Sequence, residues 1–121
     1  MRLDFHQHLW TAPLIEALER RRRLPFVRRD RRQCVVYAPG EAPSVLDLDG
    51  EVPERRIELL ERDGLDAALI AMSSPLGIEA LPRGEAQELI DAHLAGLHTI
   101  GDPFRFWGPL ALDGICADDV D

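Results

Sequence analysis

Seven consecutive residues, Asp66-Ala67-Ala68-Leu69-Ile70-Ala71-Met72, carry no polar side chain after the first. A run of that kind reads as a strand buried on both faces, the mark of a parallel sheet. It ends in the polar loop Ser73-Ser74-Pro75-Leu76-Gly77, at the strand's carboxyl end. Parallel strands need long crossovers, and helical patterns flank the run on both sides. Pro53 to Arg62 has proline at its start, Glu51 and Glu54 in its first turn, Ile57 and Leu60 inward, and Gly64 just past its end. Arg83 to Leu97 places Ala86, Leu89, Ile90, Leu94 and Leu97 on one face. Gly101-Asp102-Pro103 breaks that helix, and Phe106 to Leu112 reads as another apolar strand.

Upstream, Leu3 to Leu9 reads as a first strand. Thr11 can cap a helix with Pro13 in its opening turn, its buried side made by Leu14, Ala17 and Leu18, running out in Arg20-Arg21-Arg22-Arg23 before Leu24-Pro25. Residues 26–50 look like an inserted β-hairpin: Phe26-Val27, Cys34 to Tyr37 and Val45 to Leu48 are β-prone, with turn chemistry from Ala38 to Pro43. Asp118-Asp119-Val120-Asp121 is a natural helix start. Strands alternating with helices indicate an α/β fold with parallel pairing and right-handed crossovers. At 121 residues the chain is one domain at most, long enough for a real core.

Composition narrows the function classes. No apolar run approaches a membrane span and no signal-peptide pattern is present, so no membrane partner is expected. Cys34 and Cys116 match no zinc or redox spacing, and two lone thiols suggest a reducing cytoplasm. Net charge is −8, yet residues 20–32 hold eight arginines against Asp30 alone, +7 in that segment and −15 elsewhere. A global nucleic-acid binder is not favoured, because the rest of the surface repels phosphate.

The residues that point to chemistry are Asp4-Phe5-His6-Gln7-His8-Leu9-Trp10. Alternation on a strand puts Asp4, His6 and His8 on one side and Leu3, Phe5 and Leu9 on the other. Two imidazoles two residues apart on a strand aim at one point, which suits a divalent metal, expected to be zinc.

With those elements in place, the sequence resembles the N-terminal part of an amidohydrolase-superfamily, metal-dependent hydrolase. The nearest branch is the amidohydrolase-related one that also holds carboxymuconate-semialdehyde-type decarboxylases. The first-strand motif carries the resemblance, supported by Leu59 to Ile70 leading into the second strand and by Ser73 to Gly77 in the loop after it. It implies that the chain supplies about three β/α units, with the hairpin insert, of a (β/α)8 TIM barrel, forming one partial domain over residues 1–121. It also implies a metal at the carboxyl ends of the strands, held by His6 and His8. The reaction would be hydrolysis of an amide, ester or lactone, or decarboxylation of a small carboxylate. A full barrel of this kind is roughly twice as long, and its later ligands and acid/base residues have no counterpart here. The fragment is therefore expected to be incomplete and inactive by itself, and its catalytic residues are not identified.

Other candidates divide between chemistry and packing. Asp4 is expected to bond backbone or orient its neighbours rather than ligate, and Trp10 to pack or to cover the pocket's rim. The arginine cluster reads as a solvated helix end, as a carboxylate-binding site using Arg28 or Arg29, or as the surface of a non-catalytic module that binds an anionic partner through residues 20–32. His93 and His98, five apart, read as surface histidines, and Ser73 and Ser74 lack a nucleophile motif. An assembly half-domain is the remaining alternative. Its third strand, left as an edge, would pair with a second copy or a complementing chain.

Overall fold

A computed structural model describes residues 1–31, 33–115 and 117–119. Six strands and three α-helices appear: β1 (Leu3–Gln7), α1 (Ala12–Glu19), β2 (Phe26–Arg29), β3 (Cys34–Tyr37), β4 (Ser44–Leu46), α2 (Pro53–Asp63), β5 (Ala67–Ile70), α3 (Arg83–Ile100) and β6 (Phe104–Phe106). Strands β1, β5 and β6 form a parallel sheet in that spatial order, with β5 central. Strands β2, β3 and β4 form a separate antiparallel sheet. The α/β class with parallel pairing is thus present. The insert has three strands where a hairpin was expected.

Local sequence explains the helix boundaries. Pro53 opens α2, and Gly64 closes it at φ 66°, a left-handed cap that lets its N–H reach Glu61 and the Leu65 N–H reach Leu60. Helix α1 ends at Glu19, so the arginine run follows the helix instead of forming its last turn. Thr11 occupies the N-cap position of α1, but its hydroxyl makes no capping bond. Gly96 on α3 sits so close that a Cβ there would collide with the Thr11 side chain. That contact lets α1 and α3 approach closely.

The core lies on one side of the parallel sheet and between the helices and the insert. Leu14, Ile15 and Leu18 of α1 meet Ala86, Leu89 and Ile90 of α3, with Val27, Cys34 and Val36 of the insert in the same cluster. Cys34 behaves as a small apolar residue, its thiol pKa pushed up by burial. Leu9, Leu60, Ala68, Ile70, Leu97 and Phe104 make a second cluster under the sheet. Burying each large aliphatic side chain contributes roughly 1.5–3 kcal/mol relative to exposure.

Two strand expectations are corrected. Strand β5 is buried on one face only: Ala68 and Ile70 are inaccessible, while Ala67 and Leu69 are half-buried, no element among the described residues covering their side. Strand β6 starts earlier and stops at Phe106, and residues 107–112 carry no strand pairing. Trp107 nonetheless reaches back across the sheet, its N–H to the Ile70 carbonyl and its indole Nε1–H to that of Phe5. Ala117–Asp119 forms a short 3-10 turn; Cys116, Val120 and Asp121 lie outside the described residues.

Candidate metal centre

Strand β1 does not keep a simple alternation. Asp4 aligns with Ala68 and Gln7 with Ile70, so three steps on β1 oppose two on β5 and one residue is extra. Such a bulge shifts the phase of every side chain beyond it. Ala68 and Ile70 face the helices, so Asp4 and Gln7 align with that side, and the Gln7 amide donates to Asp4 Oδ2 at 2.8 Å. Asp4 Oδ1 accepts the backbone N–H of His6 at 3.1 Å. The Gln7 amide first, and the His6 N–H second, hold the Asp4 carboxyl below its usual pKa. The expected single face of Asp4, His6 and His8 is therefore broken. Asp4 braces the bulge and points its oxygens at Gln7 and the backbone. Phe5 departs too: expected in the apolar back, it is 65% exposed.

His6 and His8 nonetheless lie side by side. Their Nε2 atoms stand 3.3 Å apart, with ring centroids 4.7 Å apart and planes at 85°. His8 Nδ1 lies 2.9 Å from the carbonyl oxygen of Ala71. A carbonyl only accepts, so Nδ1 carries the proton and the Nε2 of neutral His8 presents a bare lone pair. This fixes the imidazole's orientation as an outer partner does in metal sites. Two nitrogens bound to one tetrahedral zinc at 2.0–2.1 Å would lie about 3.3 Å apart. The pair thus matches a divalent cation in donor type and spacing, with the ligand tautomer set for His8 alone by the Ala71 carbonyl. Among the described residues there is no group of three or more His, Cys, Asp or Glu able to hold a metal. His6 and His8 are therefore two candidate ligands with no third beside them among the described residues.

Its surroundings are braced by residues that the sequence reading assigned elsewhere. Glu51, expected in the first turn of α2, precedes the helix and accepts the Trp10 backbone N–H at 2.8 Å. Its other oxygen meets Arg56 at 2.9 Å, and Arg56 also donates to the Gly50 carbonyl. His98 is exposed as expected, its Nδ1 donating to the Leu94 carbonyl. His93 is not a surface histidine: it is 1% exposed on α3, and neither ring nitrogen has a partner among the described residues. The signal was available, since His93 is four residues from Leu89 and four from Leu97, on the buried stripe. Burial first, and the neighbouring His8 second, lower its pKa to about 4, so it is neutral near pH 7.

The two candidate substrate arginines are otherwise engaged. Arg28 lies over the Phe26 ring at 4.2 Å and donates to the carbonyls of Glu19, Arg21 and Val27. Arg29 forms a two-pronged ion pair with Glu19, at 2.5 Å for the shortest contact. The hydrogen bond from Arg29, then its charge, keeps the Glu19 carboxyl below its ordinary pKa. Arg29 still borders a cleft with Trp10, Thr11 and Glu51. Ser73 and Trp10 line a second cleft, of about 300 Å³, against the insert. No protein-family model matches the chain, and no curated protein matches it.

Proposed function

We propose that this chain is the metal-binding part of an amidohydrolase-like, metal-dependent hydrolase, acting in the cytoplasm. In this reading the parallel sheet is the opening of a (β/α)8 barrel. The observation that carries the proposal is the convergence of His6 and His8 Nε2 to 3.3 Å with His8 Nδ1 committed to Ala71. A divalent ion, zinc by donor preference, would be held by those two nitrogens. When bound, it would acidify a water or polarise the carbonyl of an amide, ester or lactone, or the carboxylate of a small acid. The chain's own contribution is to bring both imidazoles together at the carboxyl end of β1, where barrel enzymes keep their chemistry, and to orient the His8 ring through the Ala71 carbonyl.

Catalytic zinc takes three protein ligands and an open position. With two ligands among the described residues, this chain is expected to bind the ion without efficient turnover. Calorimetric titration with zinc tests the proposal: binding lost in His6→Ala and His8→Ala supports it, and binding indifferent to both sinks it.

A second reading is favoured by a different observation. Arg20, Arg22, Arg23 and Arg31 are exposed and have no acidic partner among the described residues. Binding of an anionic partner there would weaken with salt and ignore mutation of His6 and His8. An assembly role rests on Phe106 and Trp107, exposed at the end of the edge strand β6 and just after it. Concentration-dependent native mass would reveal it.

A further inference from the structure

The cleft between the insert and the end of the parallel sheet is walled by Trp10, Val36, Ala38, Leu46, Ser73 and Leu76. Two of those residues tie it to the candidate centre. Trp10 follows His8 by two positions, and Ser73 follows Ala71, the residue whose carbonyl holds the His8 ring, by two. The cleft therefore opens within about 7 Å of chain from both anchors of the imidazole pair. Its volume, about 300 Å³, lies at the small end of ligand sites and suits a single ring or a branched alkyl group.

Its charge is as informative as its shape. Among the described residues, Glu41 is the one ionisable side chain on its wall, and no cation lines it. Arg28 and Arg29, the side chains that would suit a substrate carboxylate, are absent from that wall, and both are occupied by Phe26, backbone carbonyls and Glu19. The hydroxyls of Ser44 and Ser73 offer neutral hydrogen bonding at the cleft's edge.

We infer that this cleft receives an uncharged, chiefly apolar group of the substrate, of the size of a single ring or a branched alkyl chain, and not a carboxylate. The inference rests on the metal-dependent hydrolase reading for what lies beside the cleft, but occupancy of the cleft is measurable without it. Benzamide and benzoate, equal in size and different in charge, are suitable probes. Titrating each into the 15N-labelled chain, with and without zinc, should move the amides of Val36, Leu46 and Ser73 for benzamide, with benzoate at least tenfold weaker. Ser44 is exposed on β4, so Ser44→Trp can plug the cleft without disturbing the core. It should reduce benzamide affinity at least tenfold and leave zinc binding unchanged. Benzoate binding as well as benzamide, or benzamide moving amides elsewhere, overturns the inference, as does indifference to Ser44→Trp. Cleft occupancy that persists while zinc fails to bind His6 and His8 removes the hydrolase reading alone. Zinc bound at the pair with the cleft empty removes this inference alone.

Discussion

His8 Nδ1 sits 2.9 Å from the Ala71 carbonyl, across the seam between β1 and β5 and 63 residues away in sequence. In neutral His8 this one hydrogen bond puts the proton on Nδ1 and leaves the Nε2 lone pair facing His6, so it connects sheet pairing directly to ligand chemistry. Either His6→Ala or His8→Ala leaves a single nitrogen, and zinc affinity should fall at least about tenfold in each. Asp4→Asn keeps the acceptor for the His6 N–H and should change affinity much less. Calorimetry on the three variants checks the order. An Asp4→Asn loss as large as that of the histidines would place the carboxylate among the ligands.

His93 predicts a pH dependence of stability. Its pKa is lowered to about 4 in the fold, below the ordinary value of 6.5, because burial penalises the imidazolium. Between those values the unfolded chain binds the proton and the folded chain does not, so unfolding gains ground as pH falls. The full contribution is present above about pH 6.5, declines toward about pH 4 and is absent below. Its size is at most roughly 3 kcal/mol. Urea unfolding at pH 7 and pH 5 should show a decline in the native chain that is much reduced in His93→Leu.

Glu51 predicts a coupling between the insert's far end and β1. Its carboxylate, 12% exposed, holds the Trp10 N–H and Arg56 together. Glu51→Ala leaves the Trp10 N–H without its acceptor and Arg56 with the Gly50 carbonyl alone, and should cost about 2–4 kcal/mol. Glu51→Gln, which still accepts from Trp10, should cost less. Chemical denaturation measures both, and equal losses would show that the Trp10 bond contributes nothing.

Gly96 predicts a steric limit. A methyl group there meets the Thr11 side chain, so Gly96→Ala should destabilise the fold by about 1–3 kcal/mol despite alanine's better helix propensity. Adding Thr11→Ala, which removes the hydroxyl oxygen lying nearest to such a methyl group, should recover part of the loss. Thermal unfolding of the single and double variants checks it.

Much of the fold could be read from residue order because its signals are local. Pro53 and Gly64 bracket α2, the apolar run marks β5, and Leu89, Ile90 and Leu97 mark the inward stripe of α3. What could not be read depends on partners distant in sequence. The bulge that separates Asp4 from the imidazoles arises from register against β5, which no pattern within residues 3–9 encodes. The commitment of Arg29 to Glu19 and of Glu51 to Trp10 likewise joins residues 10 and 41 apart. His6 and His8 were legible as a pair from their spacing alone, whereas the Ala71 carbonyl that orients one of them carries no side-chain signal at all.

The most direct measurement is of the ring nitrogens themselves. Two-bond 1H–15N spectra of the histidines, recorded during a zinc titration, report each imidazole nitrogen separately. The account predicts that the Nε2 resonances of His6 and His8 move together to metal-bound values at one equivalent, with His8 Nδ1 remaining protonated. Zinc binding that leaves those two nitrogens where they were, or that moves only one of them, would contradict it.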